Sequence, residues 1–303
     1  MSEALATHRK LVLFGSSKPA YLRNGLIVDS VEVGWMTDVG QRRDHNEDDL
    51  YVFSPDAVDF RKHGMLFAVA DGMGGHAAGE EASRLAVQNL GEYYSAEPAP
   101  PGTPPVDLLR ARIEAAHKAI FAKATSTPHL KGMGTTLSAG LLQGMNLHVG
   151  HVGDSRVYLI RDGVMSQVTQ DHSLVAEQLR MGIITADEAA HHPGRNIITR
   201  ALGTKESVVI DYSSLPVKPG DRFLACSDGL HGVVEEPRML ELCTTASSAA
   251  EACEKLVAEA NANGGPDNIT AIVVYLRPRC AICRGLSRLW ERVFGTRTPR
   301  PAP

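Results

Sequence analysis

Paired cysteine is the first thing this sequence lacks. Its 303 residues include five cysteines, at 226, 243, 253, 280 and 283, an odd number with no spacing that makes a disulfide framework. Reduced thiols in a cytoplasmic protein are therefore expected. No secretory leader is visible either. The basic cluster His8-Arg9-Lys10 precedes only Leu11-Val12-Leu13-Phe14, too short for a signal core or a bilayer span. Excess positive charge is missing as well: a net charge of −4 and a pI near 6.3 give no general reason to expect nucleic acid as a partner. The balance is uneven, because residues 277–303 hold seven arginines and one glutamate. With that segment at +6 and the whole chain at −4, the preceding body carries −10. Internal repeats are absent.

What is present is apolar material enough for a full core, at 43% of residues, in a length that one domain often fills. Residues 1–30 lack sustained periodicity and are expected to form an N-terminal extension. From Val31 short apolar runs alternate with glycine and aspartate. Leu66–Ala70, Leu147–Val152, Val157–Ile160, Arg222–Cys226 and Ile269–Tyr275 have strand character. Arg161-Asp162-Gly163 is a hairpin turn between two such runs. Helical spacing is expected over 77–93, over 106–124 and as a pair within 236–262. Strands in groups with helices in pairs predict an α+β fold, helices lying outside antiparallel sheets. Residues 174–203 form a small surface insert of two short helices, the second capped by Thr185.

The acidic residues share a position. Asp71 and Asp228 follow apolar strands, Asp154 lies in a turn between strands, and Asp267 comes just before one. Glu47 and Asp48 precede the strand at Leu50–Phe53. Singly, each Asp-Gly is an ordinary turn, in which aspartate bonds its own backbone and glycine accepts positive φ. Together, carboxylates gathered at converging strand ends repel unless a cation neutralises them. An oxygen-only set without cysteine or histidine suits Mg2+ or Mn2+ and disfavours zinc. Arg43 stands close in sequence; it could grip a phosphate at two points or simply pair with a neighbouring carboxylate.

Six motifs then fall in one order: Gly40-x-x-Arg43-x-x-Asn46-Glu47-Asp48, Val69-Ala70-Asp71-Gly72-Met73-Gly74-Gly75-His76, Gly134-Thr135-Thr136, Val152-Gly153-Asp154-Ser155-Arg156, Leu224-Ala225-Cys226-Ser227-Asp228-Gly229 and Asp267-Asn268-Ile269-Thr270. In this order the chain resembles the protein phosphatase 2C family, its bacterial members in particular, over residues 31–277. The resemblance implies a four-layer α-β-β-α sandwich, two antiparallel β-sheets flanked by helix pairs, and hydrolysis of phosphoserine and phosphothreonine by a hydroxide bridging two Mn2+ or Mg2+ ions. It implies that Asp71 bridges the ions, with Asp228 and Asp267 on the first. The Gly72 carbonyl, Glu47 and Asp48 would serve the second, the two side chains partly through waters. Asp154 with Asp228 matches a third position, residues 174–203 the flap beside the cleft with Asn196 near that ion, and Arg43 the phosphate anchor.

One departure concerns the acid. Eukaryotic relatives place histidine directly after Asp-Gly; here Met73 stands there and His76 comes three residues later, as general acid or as a helix-capping group. Implied partners are phosphorylated proteins and a serine/threonine kinase whose work is reversed, with the enzyme a monomer. Two other classes of protein would share parts of this pattern. A nuclease or phosphodiesterase would use similar carboxylates but lacks its basic track here. A catalytically dead phosphoprotein-binding module would have lost ligands that this chain retains. Outside the resemblance, Ile282, Leu286, Leu289, Trp290 and Val293 recur at helical spacing in the basic tail 278–303. That tail could lie on an anionic membrane surface, pack on the acidic body, or fray.

Overall fold

The computed structural model describes residues 21–28, 31–53, 64–75, 77–93, 103–190 and 192–277. His76 and the tail 278–303 lie outside the described residues. Twelve strands make two antiparallel sheets among them. The first sheet comprises β1 (Tyr21–Val28), β2 (Val31–Asp38), β8 (Arg156–Arg161), β9 (Val164–Gln167), β11 (Arg222–Cys226) and β12 (Ile269–Leu276), in the order β1-β2-β12-β11-β8-β9. The second comprises β3 (Asp48–Phe53), β4 (Met65–Met73), β6 (Leu137–Gln143), β7 (Asn146–Val152) and β10 (Asp211–Pro216), in the order β10-β7-β6-β4-β3. Short β5 (Gly134–Thr135) pairs with the end of β4.

Three cores hold four layers together, and strand alternation separates them. Phe67, Val69, Trp35, Val149, Phe223, Ile272 and Val274 fill the space between the sheets. Their alternates Leu66, Ala68 and Ala70 pack under α1 (Ala77–Gly91) and α2 (Pro105–Ser126). On the other side, Ala271, Val273 and Tyr275 pack under α6 (Glu236–Thr245) and α7 (Ala249–Ala262). The insert supplies α3 (Leu174–Arg180) and α4 (Ala186–Ala190). Thr185 caps α4 through a reciprocal pair, its backbone N–H donating to Glu188 Oε2 at 2.7 Å and its hydroxyl accepting from the Glu188 N–H at 3.3 Å. A single turn, α5 (Asp228–His231), follows β11.

The α+β sandwich expected from the sequence is the fold observed. Asp162 at φ 53° and Gly163 at φ 79° form the turn joining β8 to β9, as their Asp-Gly chemistry requires. Two differences stand out. Residues 1–30 carry no strand signal in the sequence and are expected there as an N-terminal extension; residues 21–28 add an edge strand in register with β2, from Tyr21 opposite Asp38 to Val28 opposite Val31. Asp71 does not end its strand either: β4 continues to Met73, because Gly72 and Met73 find new partners in β5. Among the described residues no helix is long and apolar enough to cross a membrane.

Candidate active site

The site lies where the rows between the sheets turn polar. On β2 the inward row Val31, Val33, Trp35 reaches Thr37; on β3 Val52 and Leu50 reach Asp48. Met65, Phe67 and Val69 on β4 reach Asp71, Leu147 and Val149 on β7 reach His151, and Val274 and Ile272 on β12 reach Thr270. Ser227 extends the β11 row and Ser155 precedes the β8 row. Hydrogen bonds cross the gap at this end. Asp48 Oδ2 accepts from Ser227 Oγ and Thr270 Oγ1, each at 2.7 Å, and Ser138 Oγ donates to the Ser155 carbonyl at 2.8 Å. One end of the sandwich is therefore fastened by polar groups where the middle is held by burial.

Into this end the fold brings four of the expected aspartates. Asp48 and Asp71 face each other in the β3–β4 register. Asp228 opens α5, and Asp154 occupies the β7–β8 turn. Burial raises the Asp71 carboxyl well above the usual range, with Asp48, Asp228, Asp154 and Asp267 adding repulsion. Burial also raises Asp48, against the pull of its two hydroxyl donors. Asp228 is pushed up to about 6 by burial and then by Asp267, and Asp154 to about 7 by burial and then by Asp228. Asp154 Oδ1 and Asp228 Oδ1 are buried without any hydrogen-bond partner. Buried oxygens left bare among like charges fit a divalent cation and little else.

The remaining expected ligands stand around this group. An ideal Cβ at Gly79, in the first turn of α1, would come 1.9 Å from Glu47 Oε2 and 2.9 Å from the Gly72 carbonyl oxygen. The Glu47 carboxylate and the Gly72 carbonyl thus meet at one point on α1, which only glycine leaves open. Asn268 holds the surrounding loops together: its Oδ1 accepts from the Glu47 N–H at 2.8 Å, and its Nδ2 donates to the Val39 and His45 carbonyls, both at 2.9 Å. Asp267 is drawn outward instead, pairing with Arg43 at 2.7 Å, and that bond raises the guanidinium pKa. Among the described residues no three acidic, histidine or cysteine side chains already close around a common point. Protein donors hold both Asp48, through Ser227 and Thr270, and Asp267, through Arg43. Asn196 is exposed in the turn after α4, with no contact to the cluster among its described bonds.

Several members of the site are given no role by the sequence, although Ser227, Asn268 and Thr270 fall within its motifs. Thr270, Ser227 and Thr37 supply hydroxyls, Gly79 supplies space, and Asn268 joins the loops. The inward period of each strand was the available signal, since each of these hydroxyls continues an apolar row.

Comparison with known proteins agrees with this geometry. Residues 41–262 match the family model described as Protein phosphatase 2C. The chain is 39% identical to the serine/threonine phosphatase stp of Listeria monocytogenes over 239 residues, 78% of this chain and 93% of that protein. It superposes on the serine/threonine phosphatase PstP of Mycobacterium tuberculosis with a TM-score of 0.73 at 39% identity, covering 82% of this chain and 99% of that one. A PstP catalytic domain in complex with 2 manganese ions matches with a TM-score of 0.71 at 37% identity, over 82% of this chain and 99% of that one. Fold and site together define the class, a protein serine/threonine phosphatase. With most of its catalytic fold matched, the chain belongs to the protein phosphatase 2C family.

Proposed function

We propose that the polar end of the sandwich hydrolyses phosphoserine and phosphothreonine monoesters in proteins, using two Mn2+ or Mg2+ ions and a third position beside them. Asp71 would lie between the two ions, with Asp228 and Asp267 on one side and the Gly72 carbonyl, Glu47 and Asp48 on the other. Asp154 and Asp228 would hold the third. When bound, such ions lower the pKa of water and neutralise charge on phosphoryl oxygens. The chain's own contribution is placement. Ser227 and Thr270 orient Asp48, Thr136 orients the Asp71 backbone by accepting its N–H at 2.9 Å, and Asn268 holds Glu47. Arg43, half exposed at the rim, is free to turn to a phosphate once Asp267 is engaged elsewhere. His76 remains the candidate proton donor to the leaving oxygen.

The observation that carries this reading is the pair of bare, buried carboxylate oxygens on Asp154 and Asp228, beside an Asp71 whose carboxyl burial and like charges hold well above the usual range. The reaction would oppose a serine/threonine kinase in the cytoplasm, where the buried free thiols of Cys226, Cys243 and Cys253 stay reduced. The test is phosphate release from a phosphothreonine peptide with Mn2+, after chelation, and after readdition. Full activity after exhaustive chelation would defeat the proposal. Arg43→Ala should raise KM while leaving Mn2+ affinity near that of the wild type; an equal loss of both would make the arginine a structural partner of Asp267.

A further inference from the structure

The turn Gly153-Asp154-Ser155 is fixed by hydrogen bonds at each of its three residues. The Gly153 N–H donates to His172 Nδ1 at 3.1 Å, and its carbonyl accepts from the His172 N–H at 2.8 Å. The Ser155 hydroxyl shares a hydrogen bond with that of Thr136 at 2.7 Å, and the Ser155 carbonyl accepts from Ser138. The Asp154 carbonyl accepts from His231 Nε2 at 3.0 Å. Asp154 Oδ1, by contrast, is buried with no hydrogen bond. A turn held this firmly around one bare oxygen is built to present that oxygen.

His231 ends the helical turn that Asp228 begins, and that turn closes on itself through the Gly232 N–H and the Asp228 carbonyl at 2.8 Å. Among the described residues the His231–Asp154 bond is the one hydrogen bond linking α5 to the 153–155 turn. Its polarity is settled by chemistry, since a carbonyl can only accept and Nε2 must carry the hydrogen. The two segments need such a tie: both present buried carboxylates, and like charges in a low-dielectric site push apart.

We infer that His231 is a positioning residue for the reaction, its Nε2–H setting the spacing between the Asp154 and Asp228 carboxylates so that one divalent ion can use both. This rests on the phosphatase reading above. His172 holds the same turn from its other side and extends the tie to the insert, because its carbonyl accepts from the Thr199 N–H at 2.8 Å.

Two replacements separate the donor from the ring. His231→Phe keeps the ring bulk without a donor; His231→Gln keeps a donor near the Nε2 position without the ring. For each chain, turnover of p-nitrophenyl phosphate is followed as Mn2+ is titrated, with melting in EDTA as the check on folding. His231→Phe should raise the Mn2+ concentration for half-maximal turnover by about ten-fold, and His231→Gln should stay within about two-fold of the wild type. Melting should differ little among the three. An unchanged Mn2+ titration in His231→Phe would overturn the inference, as would a Gln chain displaced as far as the Phe chain. A Phe chain that fails to fold beside a normal Gln chain would assign the bond to stability and overturn it too. A wild type with no Mn2+-dependent turnover would overturn the functional reading itself, which the other outcomes leave standing.

Discussion

The middle and the end of the inter-sheet layer are built on the same strands with the same period, and they do opposite things. In the middle, Trp35, Leu50, Phe67, Val69 and Ile272 exclude water and stabilise the sandwich. One step along each strand stand Thr37, Asp48, Asp71 and Thr270, where burial works against the side chains' preferred state. The fold is made by the first set, and the second set is held in place by it. Activity and stability should therefore separate cleanly along the strand, within about two residues.

The largest effect is expected at the polar end. Asp71→Asn should lower Mn2+-dependent turnover by about a thousand-fold, measured on a phosphothreonine peptide, because a central ligand charge is lost. A loss of only a few-fold would break the division, since Asp71 would then be one polar residue among many. In the middle the expectation is reversed. Phe67→Ala should cost about 3–5 kcal/mol in denaturant unfolding, as fully buried aromatic truncations do, while the folded fraction keeps its specific activity. Strong inactivation without destabilisation would mean that the core shapes the site directly.

A smaller effect sharpens the boundary. His151 continues the β7 row, donates to the Gln170 carbonyl at 3.0 Å and lies 2.9 Å from Ser138 Oγ. Burial, and then the nearby His172, lowers its pKa to about 4. The folded chain therefore binds fewer protons here than the unfolded chain between about 4 and the ordinary histidine value near 6.5. Its contribution is fully present above that window and is lost as pH falls through it, on the order of 2–3 kcal/mol. Unfolding of His151→Gln should show a shallower loss of stability between pH 6.5 and 4 than the wild type. Parallel curves would mean the imidazole is charged in the fold.

Much of this arrangement could be read from the residues alone. Aspartates at strand ends stand out because apolar runs lead up to them, as at Asp71, Asp154 and Asp228, or away from them, as at Asp267. The partners that hold them do not stand out. Thr270 and Ser227 are ordinary strand-end hydroxyls until folding sets them against Asp48, 222 and 179 residues away. Gly79 is unremarked within an alanine-rich helix start, and its role shows only when Glu47 and the Gly72 carbonyl close on it. The edge strand 21–28 was missed because Arg23, Asn24 and Gly25 interrupt its apolar pattern, whereas its pairing uses backbone alone. Arg43 lies next to the acidic cluster in sequence, but the carboxylate it pairs with is 224 residues on.

The central claim is that the polar end resists its own burial until cations arrive, and thermal melting of wild type and Asp71→Asn, each in EDTA and in Mn2+, tests it most directly. Asparagine cannot ionise, so it escapes the burial and repulsion that raise the Asp71 carboxyl, and the variant should melt at or above the wild type in EDTA. Mn2+ should then raise the wild-type melting temperature well beyond that of the variant. A variant that melts lower in EDTA, and gains as much from Mn2+ as the wild type, would contradict the account.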